Sequence, residues 1–421
     1  MTDDASREFV LVTEYFHPDT ASTGQLLTDL AVGLQDRGLD LTVYTSQPNY
    51  HSGDNERQPR VTEHNGVTVK RIRAPQLRQN SFVRRAFNWI VFTVWMLVVL
   101  LIDRADRERE VLFVSNPPIL PAAMWLVCKV RGWGYTYIVY DLYPDFAVET
   151  GYFEQGGVVD TVWSALTRAA LRGATHVVTL GPVMRDRVVQ VGGPGLDDEK
   201  VEIIHNWEDE SFVEPVHKSD NWFSEEQGLV EEFTVLYSGN IGENHDLETV
   251  VRAAQAFDDE PVTFLIIGEG DAKDSTVELA ERLGVRGSTV RFLPYQPFED
   301  LPYTLTSGDV SVVTVEEGME GVCVSSKLYT ALAAGEPVLV VSQSRDDEAR
   351  IVQNHDAGIQ VPQGGVEEAV AGIDRWRSNP ELVDEHGRNA RQAFEQHFTK
   401  DRAIEQYYEL LIGDCTSEDP G

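Results

Sequence analysis

The stretch of this sequence best suited to chemistry spans residues 315–335 and contains Ser325, Ser326 and Lys327 in succession. Two serines at the start of a predicted helix, followed by a lysine, can hold a diphosphate through charge-assisted hydrogen bonds and the positive end of the helix. The chain contains only seven lysines, so a lysine at this position is informative. In the preceding loop, acidic side chains such as Glu320 can accept hydrogen bonds from sugar hydroxyls. The alternative is a solvated loop followed by an ordinary capped helix.

Glycine-rich turns after predicted strands offer further groups that could bind phosphate. One such turn contains Gly239, Asn240 and Gly242, and another predicted strand ends at Gly268. Near the amino terminus, Gly24 stands just before a helix that we expect to begin at about residue 25. Glycine lets a ligand approach the backbone, and the free N–H groups of a turn or helix start bind anions. Ordinary structural turns are the alternative at each position.

The elements that must position these groups are short apolar runs alternating with helical stretches. The runs are continuous rather than alternating, which is typical of strands buried on both faces, and repeated strand–helix–strand units imply parallel sheets. A polar, aperiodic segment separates an earlier series of runs from a later one. We therefore predict a two-domain α/β protein, each domain doubly wound and Rossmann-like, with a cleft between them. The predicted parts are a first domain over 1–207, a linker over 208–228, a second domain over 229–398, and a C-terminal helix and tail over 399–421 that packs back on the first domain.

An apolar segment, FNWIVFTVWMLVVLLI over residues 87–102, interrupts this pattern. A membrane-spanning helix needs about 20 apolar residues, so this run is short for a span. Its two tryptophans, with Arg84 and Arg85 before it and Arg104 and Arg107 after it, favour a helix that docks at a membrane interface. A buried core helix and a true span remain open alternatives.

Composition limits the classes of function. The chain has 35 basic and 69 acidic residues, a net charge of −34, which disfavours binding to nucleic acid. Acidity spread along the chain, with few lysines, indicates a protein that stays soluble in high salt, as in a halophile; an acidic mesophilic protein is the alternative. The three cysteines fit neither a zinc site nor a disulfide framework, and the first residues lack a signal-peptide pattern. We expect a cytoplasmic protein.

Together these residues resemble the family-4 glycosyltransferases, in the branch that builds lipopolysaccharide, capsule and exopolysaccharide on lipid carriers. The resemblance runs from about residue 9 to about residue 398. The matching pieces, in order, are TEYFHPDTASTG (13–24), YTSQPNYHSG (44–53), NSFVRR (80–85), SNPPILPAA (115–123), YDLYPD (140–145), LGPVM (180–184), IHNW (204–207), YSGNIG (237–242), GEG (268–270) and SSKLYTALAAGEPV (325–338).

The resemblance implies a GT-B fold, with the nucleotide-sugar donor on the second domain and the acceptor on the first. It also implies transfer with retained configuration, without a metal or any cofactor beyond the donor. UDP-N-acetylhexosamine is the donor that the family favours, and a lipid-linked saccharide on the inner face of the cell membrane is the expected acceptor. The implied catalytic residues are Asp141 and Glu320 near the sugar and Lys327 at the diphosphate. The implied donor-binding residues are Gly24, Gly239, Asn240, Gly242, Gly268, Ser325, Ser326 and Thr330.

Three positions depart from the family pattern. Thr330 stands where many members have a second glutamate that binds the ribose, and Glu320 lies two residues further from it than the usual first glutamate. The segment after the second-domain turn reads NHDLE where many members have arginine and lysine, and Tyr140 stands where a histidine often precedes the aspartate. These departures leave open a catalytically silent GT-B scaffold subunit. A nucleotide-sugar 2-epimerase and a soluble sucrose- or trehalose-type synthase are further alternatives, although neither would need the Trp-rich apolar helix on its surface.

Overall fold

The computed structural model of this chain describes residues 7–19, 21–48, 57–72, 82–103, 108–242 and 244–417. The chain forms two compact units: unit 1 comprises residues 1–205 and 401–421, and unit 2 comprises residues 206–400. Arg104 and Arg107 and parts of the segments 44–53 and 80–85 lie outside the described residues.

Unit 1 is built on an eight-stranded sheet with the order β3-β4-β2-β1-β5-β6-β7-β8. All neighbouring strands pair in parallel except β3 and β4. The strands are β1 (Arg7–Val12), β2 (Leu41–Thr45), β3 (Val61–His64), β4 (Val67–Arg71), β5 (Glu108–Val114), β6 (Gly134–Ile138), β7 (His176–Thr179) and β8 (Val201–Ile203). The helices of unit 1 that precede residue 206 are α1 (Ser22–Asp36), α2 (Phe82–Ile102), α3 (Leu120–Arg131), α4 (Asp145–Glu149), α5 (Val158–Gly173) and α6 (Pro182–Gly192).

Unit 2 is built on a six-stranded, fully parallel sheet with the order β11-β10-β9-β12-β13-β14. The strands are β9 (Phe233–Ser238), β10 (Val262–Ile267), β11 (Val290–Leu293), β12 (Val310–Thr314), β13 (Val338–Val341) and β14 (Gly358–Val361). The helices are α7 (Trp222–Glu226), α8 (Leu247–Ala254), α9 (Lys273–Leu283), α10 (Leu301–Leu305), α11 (Lys327–Ala334), α12 (Asp347–Asn354), α13 (Val366–Arg377) and α14 (Pro380–His397). Their buried apolar faces close over the sheet and form its core. Both units are the predicted doubly wound α/β folds.

The last helix, α15 (Lys400–Ser417), packs against α1 of unit 1. Arg37 at the end of α1 donates hydrogen bonds to Asp401 at 2.6 Å and to Glu405 at 2.9 Å. Gly33 on α1 gives room to Ile404, because a Cβ at this glycine would overlap the Ile404 side chain. These contacts place the C-terminal helix in the unit where the chain begins.

The segment 208–228 differs from the separate linker that its polarity predicted, because its polar residues make hydrogen bonds to other parts of unit 2. The Lys218 ammonium donates to Asp309 Oδ2 at 2.6 Å and to the Thr234 hydroxyl at 2.8 Å. Asn221 caps α7 and donates to the carbonyl of Tyr303 at 2.7 Å. This segment is therefore an integral part of unit 2, which begins at residue 206.

Helix α2 has one buried and one exposed face, although both faces are apolar. Phe92, Met96 and Leu100 are buried in unit 1, and they recur every four residues as one face of a helix must. Ile90 and Val94 lie on the other face and are 54% and 55% exposed. Residues 83–102 are long and apolar enough to cross a membrane, and 28% of the most apolar window is buried. A core helix would be buried on all sides, so the exposed apolar face of α2 does not fit that alternative.

Candidate functional site

The glycine and serine motifs of unit 2 follow β9, β10 and β12, so they lie together at the carboxyl edge of the sheet. In a doubly wound sheet this edge is where ligands bind, because the loops and helix starts that follow the strands meet there. Strand β9 stands between β10 and β12 in the sheet. The turn after β9 therefore lies between the Gly268 loop and the loop that leads to Lys327.

The turns after β9 and β10 approach each other so closely that only glycine fits between them. Gly239, Gly268 and Gly270 have φ angles of 136°, 152° and 156°, a region that L side chains rarely adopt. A Cβ at Gly268 would overlap the carbonyl oxygen of Gly239, and a Cβ at Gly270 would overlap that of Ile241. The first role of these glycines is thus to fix the shape of the binding edge.

The backbone N–H groups of the β9 turn divide into two sets. Those of Gly239 and Ile241 donate to the carbonyls of Ile267 and Glu269, each at 2.9 Å, and so extend the sheet. Within the part of the chain that the structure describes, no hydrogen bond engages the N–H groups of Asn240 and Gly242. Fewer N–H groups of this turn are therefore candidates for phosphate binding than the motif suggested. The candidates are those of Asn240 and Gly242.

Replacing Gly268 with alanine should destabilise unit 2 strongly. The new Cβ would collide with the Gly239 backbone in a left-handed conformation, so we expect a loss of more than about 2 kcal/mol in unfolding free energy. Gly284→Ala is the matched control, because Gly284 has a φ of 77° but no atom within 4 Å of an added Cβ. That control should lose about 1 kcal/mol. Urea denaturation followed by circular dichroism measures both, and equal losses would contradict the close approach.

Lys327 begins α11 and lies across Gly239. A Cβ at Gly239 would stand 2.7 Å from the Lys327 Cε, so the glycine makes space for the lysine side chain. The Lys327 ammonium lies 5.3 Å from the centre of the Tyr237 ring and 3.2 Å from Nε2 of His245. Burial lowers the pKa of Lys327 to about 8, although nearby Cys323 and Glu348 act in the opposite direction. Lys327 is therefore a cation held in a defined place beside the β9 turn.

His245 is a site residue that the sequence analysis did not identify. Its Nδ1 lies 3.1 Å from the carbonyl oxygen of Thr314, which can only accept, so Nδ1 carries the proton and Nε2 accepts from Lys327. Burial and the Lys327 charge lower the pKa of His245 to about 3, so the ring is neutral at ordinary pH. His245 lies in the NHDLE segment, where the departure from the family pattern was the available signal.

The predicted serine cap of α11 differs from the observed arrangement. Ser326 occupies the N-cap position, but its hydroxyl makes no capping hydrogen bond. The Ser325 N–H donates to Glu348 Oε1 at 2.5 Å, and the buried Ser325 hydroxyl has no partner in the described part of the chain. Thr330, at the position of the family's ribose-binding glutamate, donates its hydroxyl to the carbonyl of Lys327 at 2.9 Å. The proton of the Thr330 hydroxyl is therefore used in a hydrogen bond within α11.

The acidic groups beside these serines come from the loop after β12 and from the start of α12, which follows β13. Glu320 accepts from the N–H of Gly318 at 3.0 Å, so its carboxylate folds back on its own loop. Asp346 lies close enough to Glu320 for the charges of the two carboxyl groups to interact. Burial, and then the Asp346 charge, raise the pKa of Glu348 well above its ordinary value. Glu320 therefore lies at the same edge as Lys327 and Ser325, and its role at the sugar remains a prediction.

The candidate residues of unit 1 lie at the carboxyl edge of its own sheet. The backbone N–H of Asp141, just after β6, donates to the Ser115 hydroxyl at 2.9 Å. Burial raises the pKa of Asp141 to about 6, so its carboxyl group can change protonation state near neutral pH. Glu14, which the sequence analysis did not single out, is buried just after β1, and burial raises its pKa to about 8.

Gly24 lies inside the first turn of α1, which begins at Ser22, and not before the helix as expected. Gly24 is buried, and a Cβ there would come within 3.2 Å of the Tyr15 Cβ. This contact explains the glycine as a packing residue between α1 and the loop after β1. Its predicted approach to a diphosphate remains a prediction.

The described residues contain no group of three or more His, Cys, Asp or Glu side chains that could hold a metal ion. The chemistry that these residues can perform is the binding of an anion by Lys327 and backbone N–H groups, beside carboxyl groups able to bind hydroxyls.

Two family models match this chain. Residues 23–207 match the glycosyl transferase 4-like domain, and residues 219–393 match the glycosyl transferases group 1. The two matches together cover most of both units. The chain belongs to the family-4 glycosyltransferases of the GT-B fold.

Two curated relatives of this glycosyltransferase are themselves named as glycosyltransferases. WcaI of Escherichia coli, named as a glycosyl transferase of colanic acid biosynthesis, is 25% identical over 94% of this chain and 98% of its own length. WbjE of Pseudomonas aeruginosa, named as a glycosyltransferase, is 27% identical over 85% of this chain and 86% of its own.

Solved structures share the GT-B fold of this glycosyltransferase at low sequence identity. The sucrose-phosphate synthase of Thermosynechococcus elongatus has a TM-score of 0.76 at 16% identity, covering 98% of this chain and 100% of its own. HepE of Anabaena, in complex with UDP and glucose, has a TM-score of 0.72 at 15% identity, covering 96% and 99%. WaaG, a glycosyltransferase of lipopolysaccharide biosynthesis, has a TM-score of 0.69 at 16% identity, covering 96% and 100%.

Proposed function

We propose that this glycosyltransferase transfers a sugar, with retained configuration, from a nucleotide diphosphate-sugar to a lipid-linked saccharide on the inner face of the cell membrane. UDP-N-acetylhexosamine is the proposed donor. The observation that carries the donor assignment is Lys327, held by neutral His245 and Gly239 beside the N–H groups of Asn240 and Gly242. A diphosphate is the anion that suits one ammonium and several N–H groups at a helix start.

The proposed role of Lys327 is to stabilise the negative charge that grows on the departing diphosphate. A hydrogen-bonding cation that is fixed in place before the reaction starts needs no reorganisation as that charge develops, which is why such groups accelerate reactions. The neutral state of His245 matters here, because a second positive charge would repel the Lys327 ammonium. The N–H groups of Asn240 and Gly242 would share the diphosphate charge without a metal ion.

Asp141 and Glu320 are the proposed carboxyl groups at the sugar. Asp141 would accept a hydrogen bond from the attacking acceptor hydroxyl, a task that needs its ionised form. Glu320 would bind hydroxyls of the donor sugar. We assign no carboxylate as a nucleophile; retention then follows if the acceptor attacks on the face that the diphosphate leaves.

Relatives support this choice of donor and pathway. HepE is known in complexes with UDP and with UDP-glucose, and the trehalose-6-phosphate enzyme of Escherichia coli is known with UDP-2-fluoro glucose. WcaI, WbjE and WaaG are named as glycosyltransferases, and WcaI and WaaG are assigned to colanic acid and lipopolysaccharide. The apolar, exposed face of α2 would hold the enzyme at the membrane where a lipid-linked acceptor resides.

Incubation of purified protein with a UDP-N-acetylhexosamine and an extracted lipid-linked acceptor tests this function. We expect a lipid product whose new bond has the anomeric configuration of the donor, as read by ¹H NMR. Slow donor hydrolysis without acceptor should accompany it. Inversion at C2 of the free donor would identify a 2-epimerase instead, and neither binding nor turnover of any donor would identify a silent scaffold.

Sugar transfer should survive metal chelation. The reason is that Lys327 and the backbone N–H groups would supply the charge stabilisation that a divalent ion provides in metal-dependent enzymes. The measurement compares initial rates with and without excess EDTA at constant ionic strength. We expect a change of less than about twofold, far below the ~1.4 kcal/mol that a tenfold loss represents. Complete loss with EDTA, restored by Mg²⁺ or Mn²⁺, would contradict this metal-free account.

A further inference from the structure

Three neighbouring helices of unit 1 expose apolar side chains. Helix α3 packs against both α2 and α5. The right-handed β5-α3-β6 and β6-α5-β7 connections place α3 and α5 on the same face of the sheet, so their exposed residues point away from it together. On α3, Val130 is 65% exposed, and on α5, Val158 and Val162 are 81% and 56% exposed. The apolar surface of α2 therefore continues across two further helices.

The same three helices reverse the charge balance of the chain. They carry six basic residues and a single acidic residue, Asp160, whereas the whole chain has 35 basic and 69 acidic residues. The basic residues are Arg84, Arg85, Lys129, Arg131, Arg168 and Arg172. Of these, Arg84, Lys129 and Arg172 are exposed. An apolar surface that carries exposed cations fits an anionic lipid surface, where apolar side chains enter the acyl boundary and cations meet the headgroups.

A second copy of this chain is a poorer occupant of the same surface. Two copies meeting face to face would bring the two sets of basic residues together, and like charges oppose such a contact. Monomeric soluble proteins rarely expose apolar surfaces that continue over several elements. Trp95 on α2 is 41% exposed, and an indole ring suits the depth of lipid headgroups.

We propose that α2, α3 and α5 form one docking platform for an anionic lipid bilayer, with α2 lying flat on the membrane as part of unit 1. The proposal rests on the membrane placement under the proposed function and extends it from one helix to three. Helix α2 would keep Phe92, Met96 and Leu100 packed in the unit, which a membrane-spanning position would expose.

The platform would also bring the acceptor lipid close to Asp141. Helix α5 follows β6 after the connection 139–157, which contains α4. Its first residues lie toward the carboxyl edge of the sheet, because the helix runs back to the start of β7. Asp141 lies in that same connection. Val158 and Val159, the first residues of α5, would therefore touch the membrane near the carboxyl group proposed to receive the acceptor.

Co-sedimentation with lipid vesicles tests the platform. The α5 variant carries Val158→Ser, Val159→Ser and Val162→Ser, and the α2 variant carries Ile90→Ser, Val94→Ser and Val98→Ser. The control carries Val61→Ser and Val230→Ser, two exposed valines outside the platform. With vesicles of mixed phosphatidylglycerol and phosphatidylcholine, we expect each platform variant to lower the partition coefficient at least tenfold and the control to leave it unchanged.

Charge substitutions separate the role of the basic residues. Lys129→Gln with Arg168→Gln should weaken binding to the phosphatidylglycerol vesicles and leave binding to pure phosphatidylcholine vesicles unchanged. Equal weakening on both vesicles, or none on either, would overturn the assignment to an anionic surface.

A labelling experiment keeps the proposal testable if a triple variant fails to fold. Val162→Cys carrying an environment-sensitive dye should shift its emission to the blue on anionic vesicles, and Val61→Cys should not. A Val162 probe without a shift, or an α5 variant that binds normally while the α2 variant is released, would overturn the three-helix platform and leave docking by α2 intact. Wild-type protein that never binds vesicles would overturn the proposed membrane placement itself. A wild-type dimer that the α5 substitutions dissociate would assign the surface to a second copy.

Discussion

Replacing Lys327 with alanine should lower kcat/KM for sugar transfer about a hundredfold, which corresponds to ~2.7 kcal/mol of transition-state stabilisation. The reason is that the variant loses the ammonium that lies beside His245 and the β9 turn. UDP affinity, measured by calorimetry, should fall by at least tenfold. Lys327→Arg should recover only part of the activity, because Gly239 leaves limited room for the larger guanidinium.

Lys200→Ala is the matched control for this substitution. Lys200 lies in unit 1, where it donates to the carbonyls of Arg172 and Ala174, and it has no proposed role in donor binding. Its loss should leave UDP affinity unchanged. Unaltered kinetics in Lys327→Ala, with a folded control, would remove Lys327 from the donor site.

Replacing Asp141 with asparagine should lower the transfer rate about a hundredfold, within the range that positioned proton acceptors contribute. The pH profile of kcat/KM carries a second signature. Burial raises the pKa of Asp141 to about 6, so the ionised form, and with it the activity, should rise as the pH increases through about 6. Burial lowers the pKa of Lys327 to about 8, so its charge, and with it the activity, should fall above pH 8.

The two limbs of this bell-shaped profile can be assigned separately. Asp141→Asn should remove the acidic limb from its residual activity, whereas Lys327→Arg should remove the alkaline limb, because arginine stays protonated. Asp36→Asn, an exposed carboxylate at the end of α1, is the control and should keep both limbs. An acidic limb that persists unchanged in Asp141→Asn would contradict the proton-accepting role.

Much of the fold was predictable from the sequence, because the buried strands of a parallel sheet read as continuous apolar runs. Strands β9, β10 and β12 show such runs, and each ends in a glycine-, serine- or acid-containing loop. Loops that follow neighbouring parallel strands must meet at one edge. The convergence of Gly239, Gly268 and Lys327 at that edge follows from this reasoning.

The parts that were not predicted depend on contacts between residues far apart in the sequence. His245 acquires its role only because Lys327, 82 residues later, places its ammonium against Nε2. The 208–228 segment was predicted to be a linker because it is polar, yet Lys218 pairs with Asp309 of unit 2 and is only partly exposed. The start of α1 was also predicted a few residues too late, because a small residue in the first turn of a helix looks the same in the sequence as one just before the helix. Long-range pairs such as His245 with Lys327 and Lys218 with Asp309 leave no periodic pattern in the sequence.

Transfer of a labelled sugar tests the central claim most directly. Purified wild-type protein, anionic vesicles containing extracted lipid-linked acceptor, and UDP-N-acetylhexosamine labelled in the sugar are incubated, and the label is followed into the organic extract. We predict label in the lipid fraction with the wild type and at most about a hundredth of that initial rate with Lys327→Ala. No label from any nucleotide diphosphate-sugar, or equal labelling by the Lys327→Ala variant, would contradict the assignment of this chain as a transferase whose donor is held by Lys327.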